Sequence, residues 1–154
     1  NDADEDAAIT AASLPPAATR TLNVNAPEQY LAVYGDATCD GIVSLDDALA
    51  LQNAINIAYI NGWGFAVNDR TFMYKSAFQS HINDLLPITI DYENHFIVTA
   101  NTLDCNEDGV IVNAPSDPSI SEVHQIVQYY VDGLAMNPYY NPGWKIGVIT
   151  TVWR

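Results

Sequence analysis

The sequence predicts a mainly α fold with small β additions. Two stretches share one order of parts: an Asp-rich loop, a glycine, two β-branched residues, then a helix with an apolar stripe. The segment between them reads as one more helix and a β-hairpin, and the C-terminal residues alternate as a strand. Apolar residues make up 49% of the 154, enough to bury one core in one domain.

Residues 1–21 are acidic and then rich in Pro, Ala and Thr, which reads as a linker or arm. The chain opens at Asn1 with no basic or apolar leader, the pattern of a processed or excised piece. Residues 22–154 read as a single module. It divides into a first repeat over 35–59, an insertion over 60–102, a second repeat over 103–134 and a tail over 135–154. Leu22 to Tyr34 reads as a short strand or turn. After Ser44 the positions of Ala48, Leu51, Ile55 and Ala58 define one helix face, which Asn61-Gly62 ends. A second helix is expected from near Asp69 to Leu86, with Phe78, Ile82 and Leu85 inward and Pro87 as its stop. Residues 88–99 alternate around Glu93-Asn94 as a hairpin. A third helix is expected to start near Ser119, with Val123, Ile126, Val127, Tyr130, Val131 and Leu134 as its stripe. Lys145 to Trp153 reads as a strand.

Charge narrows the function. Asp and Glu total 19 against 5 Lys and Arg, a net charge of −14. That balance repels nucleic-acid backbones and anionic membrane surfaces and favours divalent cations or basic partners. No apolar run approaches the roughly 18 residues of a membrane-spanning helix, so no membrane insertion is expected. No Gly-rich phosphate loop, nucleophile elbow or His-Glu-x-x-His occurs, and paired carboxylates for glycoside hydrolysis stay open, since any two acids can meet in space.

The two loops carry the chemistry. A twelve-residue calcium loop takes oxygen ligands from its first, third, fifth, seventh, ninth and twelfth places, with glycine sixth for the sharp turn; the seventh place gives only its carbonyl. In the first loop Asp36, Thr38, Asp40, Ile42, Ser44 and Asp47 fill those ligand places and Gly41 is sixth. Ser44 and Asp47 also make a Ser-x-x-Asp helix start, so ligand spacing and capping agree. The second loop begins the same way, with Asp104, Asn106, Asp108, Gly109 and Val110. Its ninth and twelfth places fall on Val112 and Pro115, which offer no side-chain oxygen. Ser119 to Glu122 repeats the Ser44 to Asp47 pattern, so an insertion of Val112–Pro118 lets Ser119 and Glu122 complete the site. Asp117, beside Pro118, competes as ligand or helix cap. Two Ca²⁺ ions are therefore expected.

Neither loop is preceded by a helical pattern, which separates the chain from paired helix–loop–helix sensors. GDATCDGIVSLDDALALQNAI, from Gly35, closely resembles a repeat of the dockerin family, and LDCNEDGVIVNAPSDPSISEVHQIVQYYV, from Leu103, resembles it with an insertion. The Cys-Asp-Gly-Ile-Val wording is similar to dockerins of rumen cellulolytic bacteria. The resemblance covers about 50 residues and implies two loop–helix (F-hand) repeats. It further implies a secreted, non-catalytic module that binds a cohesin of a scaffoldin or cell-surface protein in an extracellular cellulosome-type complex. Its partner face, carried over by loop position, falls on Leu45, Asp46, Gln52 and Asn53 in the first repeat and on Ile120, Ser121, Val127 and Gln128 in the second. The spacing between the repeats is about twice that of an ordinary dockerin.

Cys39 and Cys105 sit at different places in their loops, so free thiols are expected rather than a bridge. His81, His95 and His124 lack zinc spacing with them. Trp63, Trp144, Trp153, Tyr139 and Tyr140 read as core aromatics or as a sugar-stacking platform. A calcium-stabilised carbohydrate-binding or adhesin domain is the first rival reading, and a small hydrolase with acidic residues the second.

Overall fold

The computed structural model of the chain describes residues 28–67, 70–135 and 143–154. The arm over 1–21, the expected helix start at Asp69, and Tyr139 and Tyr140 lie outside them. Among the described residues are four α-helices and seven strands in two sheets. The fold is mixed α/β, which corrects the mainly α expectation.

The first helix, α1 (Leu45–Ile60), follows the sequence closely. It buries Ala48, Leu51, Ala54, Ile55 and Ala58, the three- and four-residue steps of one helix face. Asn61 ends it by donating both its backbone N–H (3.0 Å) and its side-chain amide (2.9 Å) to the Ile57 carbonyl. The partner helix, α4 (Glu122–Ala135), packs against α1. Leu51, Ile55, Phe78, Met73, Leu103, Ile111 and Ile126 form the centre of the main core. Val131, placed on the stripe by its spacing, is exposed.

The insertion departs most from expectation. The helix read from Asp69 starts only at Lys75: α2 spans Lys75–Leu85 and turns Phe78, Ile82 and Leu85 inward. The preceding residues Arg70–Tyr74 form strand β3, flanked by β2 (Phe65–Val67) and β6 (Val110–Asn113) in an antiparallel sheet ordered β2-β3-β6. Arg-Thr-Phe-Met-Tyr is β-branched and aromatic, a composition that suits a pleated, half-buried ladder. Its partner β6 lies far along the chain, with Met73 opposite Ile111 and Tyr74 opposite Val110. Local periodicity carries no trace of that pairing.

The expected hairpin forms, as β4 (Ile90–Asp91) and β5 (Phe96–Ile97) around a turn at 92–95. It joins β1 (Gln29–Val33) and the C-terminal β7 (Ile149–Trp153) in the sheet β4-β5-β1-β7. Leu31 lies opposite Thr151 in the antiparallel β1–β7 pair and opposite Phe96 in the parallel β1–β5 pair. A one-turn helix, α3 (Ala100–Leu103), leads directly into the second loop, where the sequence shows no helical pattern.

The third helix also starts late. Pro118–Ile120 form a 3-10 turn, and the N-cap of α4 is Ser121, whose Oγ accepts the His124 N–H at 3.3 Å. The two repeats are therefore not copies in three dimensions: Val110 and Ile111 belong to β6, whereas Ile42 and Val43 belong to no strand.

Met73 tests the β3 assignment, because it is fully buried at the β3–β6 register. Met73→Ala should lower unfolding free energy by about 2–5 kcal/mol, read from urea melts; a loss under ~0.5 kcal/mol contradicts this core.

Candidate metal centres

The first loop folds around Asp36, which is buried. Asp36 Oδ2 accepts the Gly41 N–H at 2.8 Å and Oδ1 accepts the Asp40 N–H at 3.2 Å. Asp40 Oδ1 in turn accepts the Ile42 N–H at 3.0 Å. The chain can curl this tightly because Cys39 (φ 63°) and Gly41 (φ 84°) take left-handed conformations. A Cβ at Gly41 would lie 2.6 Å from the Phe96 ring, so the hairpin leaves that place to glycine alone.

The second loop repeats this geometry bond for bond. Asp104 Oδ2 accepts the Gly109 N–H at 2.9 Å, Oδ1 accepts the Asp108 N–H at 3.3 Å, and Asp108 Oδ1 accepts the Val110 N–H at 3.1 Å. The same fourth and sixth places are left-handed, Glu107 at φ 59° and Gly109 at φ 91°. Asn106, third in the loop, reaches Asp108 Oδ2 with its amide at 3.1 Å.

Each loop is closed by a buried acid from the following helix. Asp47, in the third position of α1, accepts from Thr38 N–H (2.9 Å), Thr38 Oγ1 (2.8 Å) and Ser44 N–H (2.7 Å). Glu122 closes the second loop and accepts the Val112 N–H at 2.8 Å through Oε1. Val112 thus takes the place of Ser44, through its backbone. Glu122 is the first residue of its helix rather than the third, and the longer side chain spans the difference. Ser119 is corrected as a ligand: it is exposed on the 3-10 turn, and its hydroxyl donates to Asp117 Oδ1 at 2.6 Å. Asp117 stands at the N-cap place of that turn without a side-chain capping bond, and lies outside the acidic cluster.

The outcome is two triads, Asp36–Asp40–Asp47 and Asp104–Asp108–Glu122, with a carboxylate oxygen from each member within 4.8 Å of the others. Glu122 is 0% exposed, and among the described residues its Oε2 has no hydrogen-bond partner. A buried carboxylate oxygen left unpaired costs free energy unless a cation or proton meets it. Burial pushes Asp36 up to about 7, with Asp40 and Asp47 beside it. Burial likewise raises Asp47 and Asp104, and lifts Glu122 well above the ordinary range, with Asp108 and Asp104 adding to it. All these donors are hard oxygens, the set that suits a Ca²⁺- or Mg²⁺-like ion rather than a thiophilic one. Both triads could hold a metal ion.

The surroundings of the triads differ. Lys75, at the start of α2, places its ammonium 3.5 Å from Asp104 Oδ2. Lys145 pairs with Glu107 at 3.1 Å on the rim of the same loop. Sequence reasoning missed Lys75, because only the β3–β6 register brings residue 75 to residue 104.

The remaining candidates separate by repeat. Leu45, Asp46, Gln52 and Asn53 are all exposed on the outer side of α1. In the second repeat Ser121 is corrected as a partner-face residue. Ser121 is fully buried as the helix cap, its Oγ donating to the Val112 carbonyl at 3.2 Å and accepting from Ala114 N–H at 3.1 Å. Val127 packs against the core, and Ile120 and Gln128 are half-buried. Cys39 and Cys105 are free thiols buried in the core. Burial pushes Cys39 up to about 12 and Cys105 well above its ordinary range, so both stay protonated. Trp63 stacks on His81 at 3.7 Å, and Trp63 and Trp144 pack against the core.

Without metal, the folded chain holds protons on Asp36, Asp47, Asp104 and Glu122 at a pH where the unfolded chain has released them. Folded-state stability therefore falls as pH rises from ~4, the ordinary carboxyl range, through about 7, where Asp36 titrates. Calorimetry should find a higher Tm at pH 5 than at pH 8 for metal-free protein, and saturating Ca²⁺ should remove or reverse the difference. A metal-free Tm that climbs from pH 5 to pH 8 contradicts this electrostatic account.

No protein-family model, curated protein or solved structure matches the chain.

Proposed function

We propose that the chain is a non-catalytic, calcium-dependent interaction module of the dockerin type. It binds a cohesin and thereby attaches its parent protein to an extracellular cellulosome-type complex. The observation that carries this reading is the hydrogen-bond pattern shared by the two loops, each closed by a buried acid. Calcium is favoured over smaller ions because the first loop's twelve-place spacing, and the second loop's first seven places together with Glu122, supply the many oxygens that Ca²⁺ takes. Asp36, Thr38, Asp40, the Ile42 carbonyl, Ser44 and Asp47 would hold one ion. Asp104, Asn106, Asp108, the Val110 carbonyl and Glu122 would hold the other. Two such ions offset four of the net fourteen negative charges, and their binding energy becomes folding energy.

The outer side of α1 supports a protein partner. Leu45, Leu49, Gln52, Asn53 and Ile60 lie along one side of the helix and are all exposed, Ile60 at 80%. The matching side of α4 is capped, half-buried or turned to the core. Among the described residues the first repeat alone offers an open face, which favours one binding orientation over two. The aromatic side chains offer less to a carbohydrate ligand: Trp63 and Trp144 are spent on the core, and Trp153 stands exposed on β7.

Cohesin pull-down in calcium and in EDTA tests the reading. Retention should require calcium. Leu45→Ala should weaken binding about tenfold, the loss of one modest interface anchor, while Ile120→Ala should change it less than about twofold. Calcium uptake without retention by any cohesin, together with retention on polysaccharide gels, contradicts the proposal.

A further inference from the structure

The chain has two lysines, Lys75 and Lys145, and both lie against the second loop. Among the described residues no Lys or Arg pairs with Asp36, Asp40 or Asp47. Lys145 meets Glu107, which belongs to no triad. Lys75 meets Asp104, a member of the triad itself, and meets the same oxygen that accepts the Gly109 N–H.

Its placement does not follow from the helix that carries it. Lys75 is the first residue of α2, and α2 has no acidic residue in its first turn. The helix dipole disfavours a cation there, so the local sequence gives the ammonium no reason to sit at that end. The backbone pairing of Tyr74 with Val110 does, because it carries residue 75 to the mouth of the second loop. The Lys75 side chain is 35% exposed, while Asp104 is buried at 1%. The ammonium therefore reaches the triad from the solvent side on a flexible stem and has room to withdraw.

We infer that Lys75 is a built-in counter-ion of the second loop, which lowers that loop's affinity for a divalent cation and makes the first loop fill first. An ammonium beside Asp104 offsets one negative charge of the triad while the loop is metal-free. A divalent ion entering the triad meets that positive charge at short range and binds only as Lys75 gives way. The first loop has no such competitor among the described residues. The inserted segment, through β3 and α2, thus sets the order in which the loops load. The inference rests on reading both loops as cation sites.

Calcium titration calorimetry on the full chain tests it, with Asp40→Ala and Asp108→Ala assigning each binding step to its loop. Wild type should show two steps separated by at least about tenfold, the weaker one lost in Asp108→Ala. Lys75→Gln should tighten that weaker step about tenfold and leave the tighter one unchanged. Lys75→Arg, which keeps the charge, should behave as wild type. A purely structural role for Lys75 predicts the opposite sign, a weaker second step in Lys75→Gln. That result, or an unchanged second step, overturns the inference while the two-site reading stands. Absence of calcium uptake in every variant overturns the two-site reading and the inference with it.

Discussion

Three carboxylates held within 4.8 Å of one another, twice in a 154-residue chain, are the constraint around which the structure is organised. Neither triad is tolerable on its own terms. Asp36, Asp47, Asp104 and Glu122 are all buried, and each is raised by that burial. The backbone N–H groups of the loops satisfy part of the charge, but Glu122 Oε2 has no hydrogen-bond partner among the described residues. Such groups persist in a fold only where protons or cations complete them. The loops, the left-handed turns at their fourth and sixth places and the acids at the helix starts all serve that one arrangement.

The insertion is part of the same arrangement. Its hairpin sets the Phe96 ring against Gly41 in the first loop, and its helix sets Lys75 against Asp104 in the second. Its strand β3 pairs with β6, which carries Val110 and Val112 of the second loop. One segment between the repeats therefore braces both loops, and it does so unequally. An aromatic ring packs against the backbone of the first loop, while a lysine ammonium stands beside a carboxylate of the second. The asymmetry extends to the helices, where α1 keeps an exposed apolar face and α4 is drawn into the core.

What the sequence made legible was local. Asp36 to Asp47 lie within twelve residues, and α1 shows an unbroken stripe, so loop, cap and helix were readable together. Glu122 was also found, although the alignment that found it placed it third in its helix and it stands first. The Val110–Asn113 strand and the 3-10 turn at 118–120 consume the residues that separate the two patterns, which removed Ser119 from the site and made Ser121 the cap. The sheets were not legible. Pairings such as Met73 with Ile111 or Leu31 with Thr151 join residues with no local signature of each other. Lys75 was hidden for the same reason, since its role depends on a register and not on its neighbours. Fold class failed where long-range β pairing outvoted helical periodicity, whereas the acids of the first loop, close in sequence, lie together in the fold.

The number of calcium ions bound per chain tests the central claim most directly. Equilibrium dialysis against millimolar calcium, spanning the range of extracellular sites, should give two ions for the wild type. Glu122→Gln keeps the side chain's size but removes the charge that closes the second loop, and should give one. No bound calcium, or two ions still bound in Glu122→Gln, would contradict the assignment of the two acidic loops as paired cation sites.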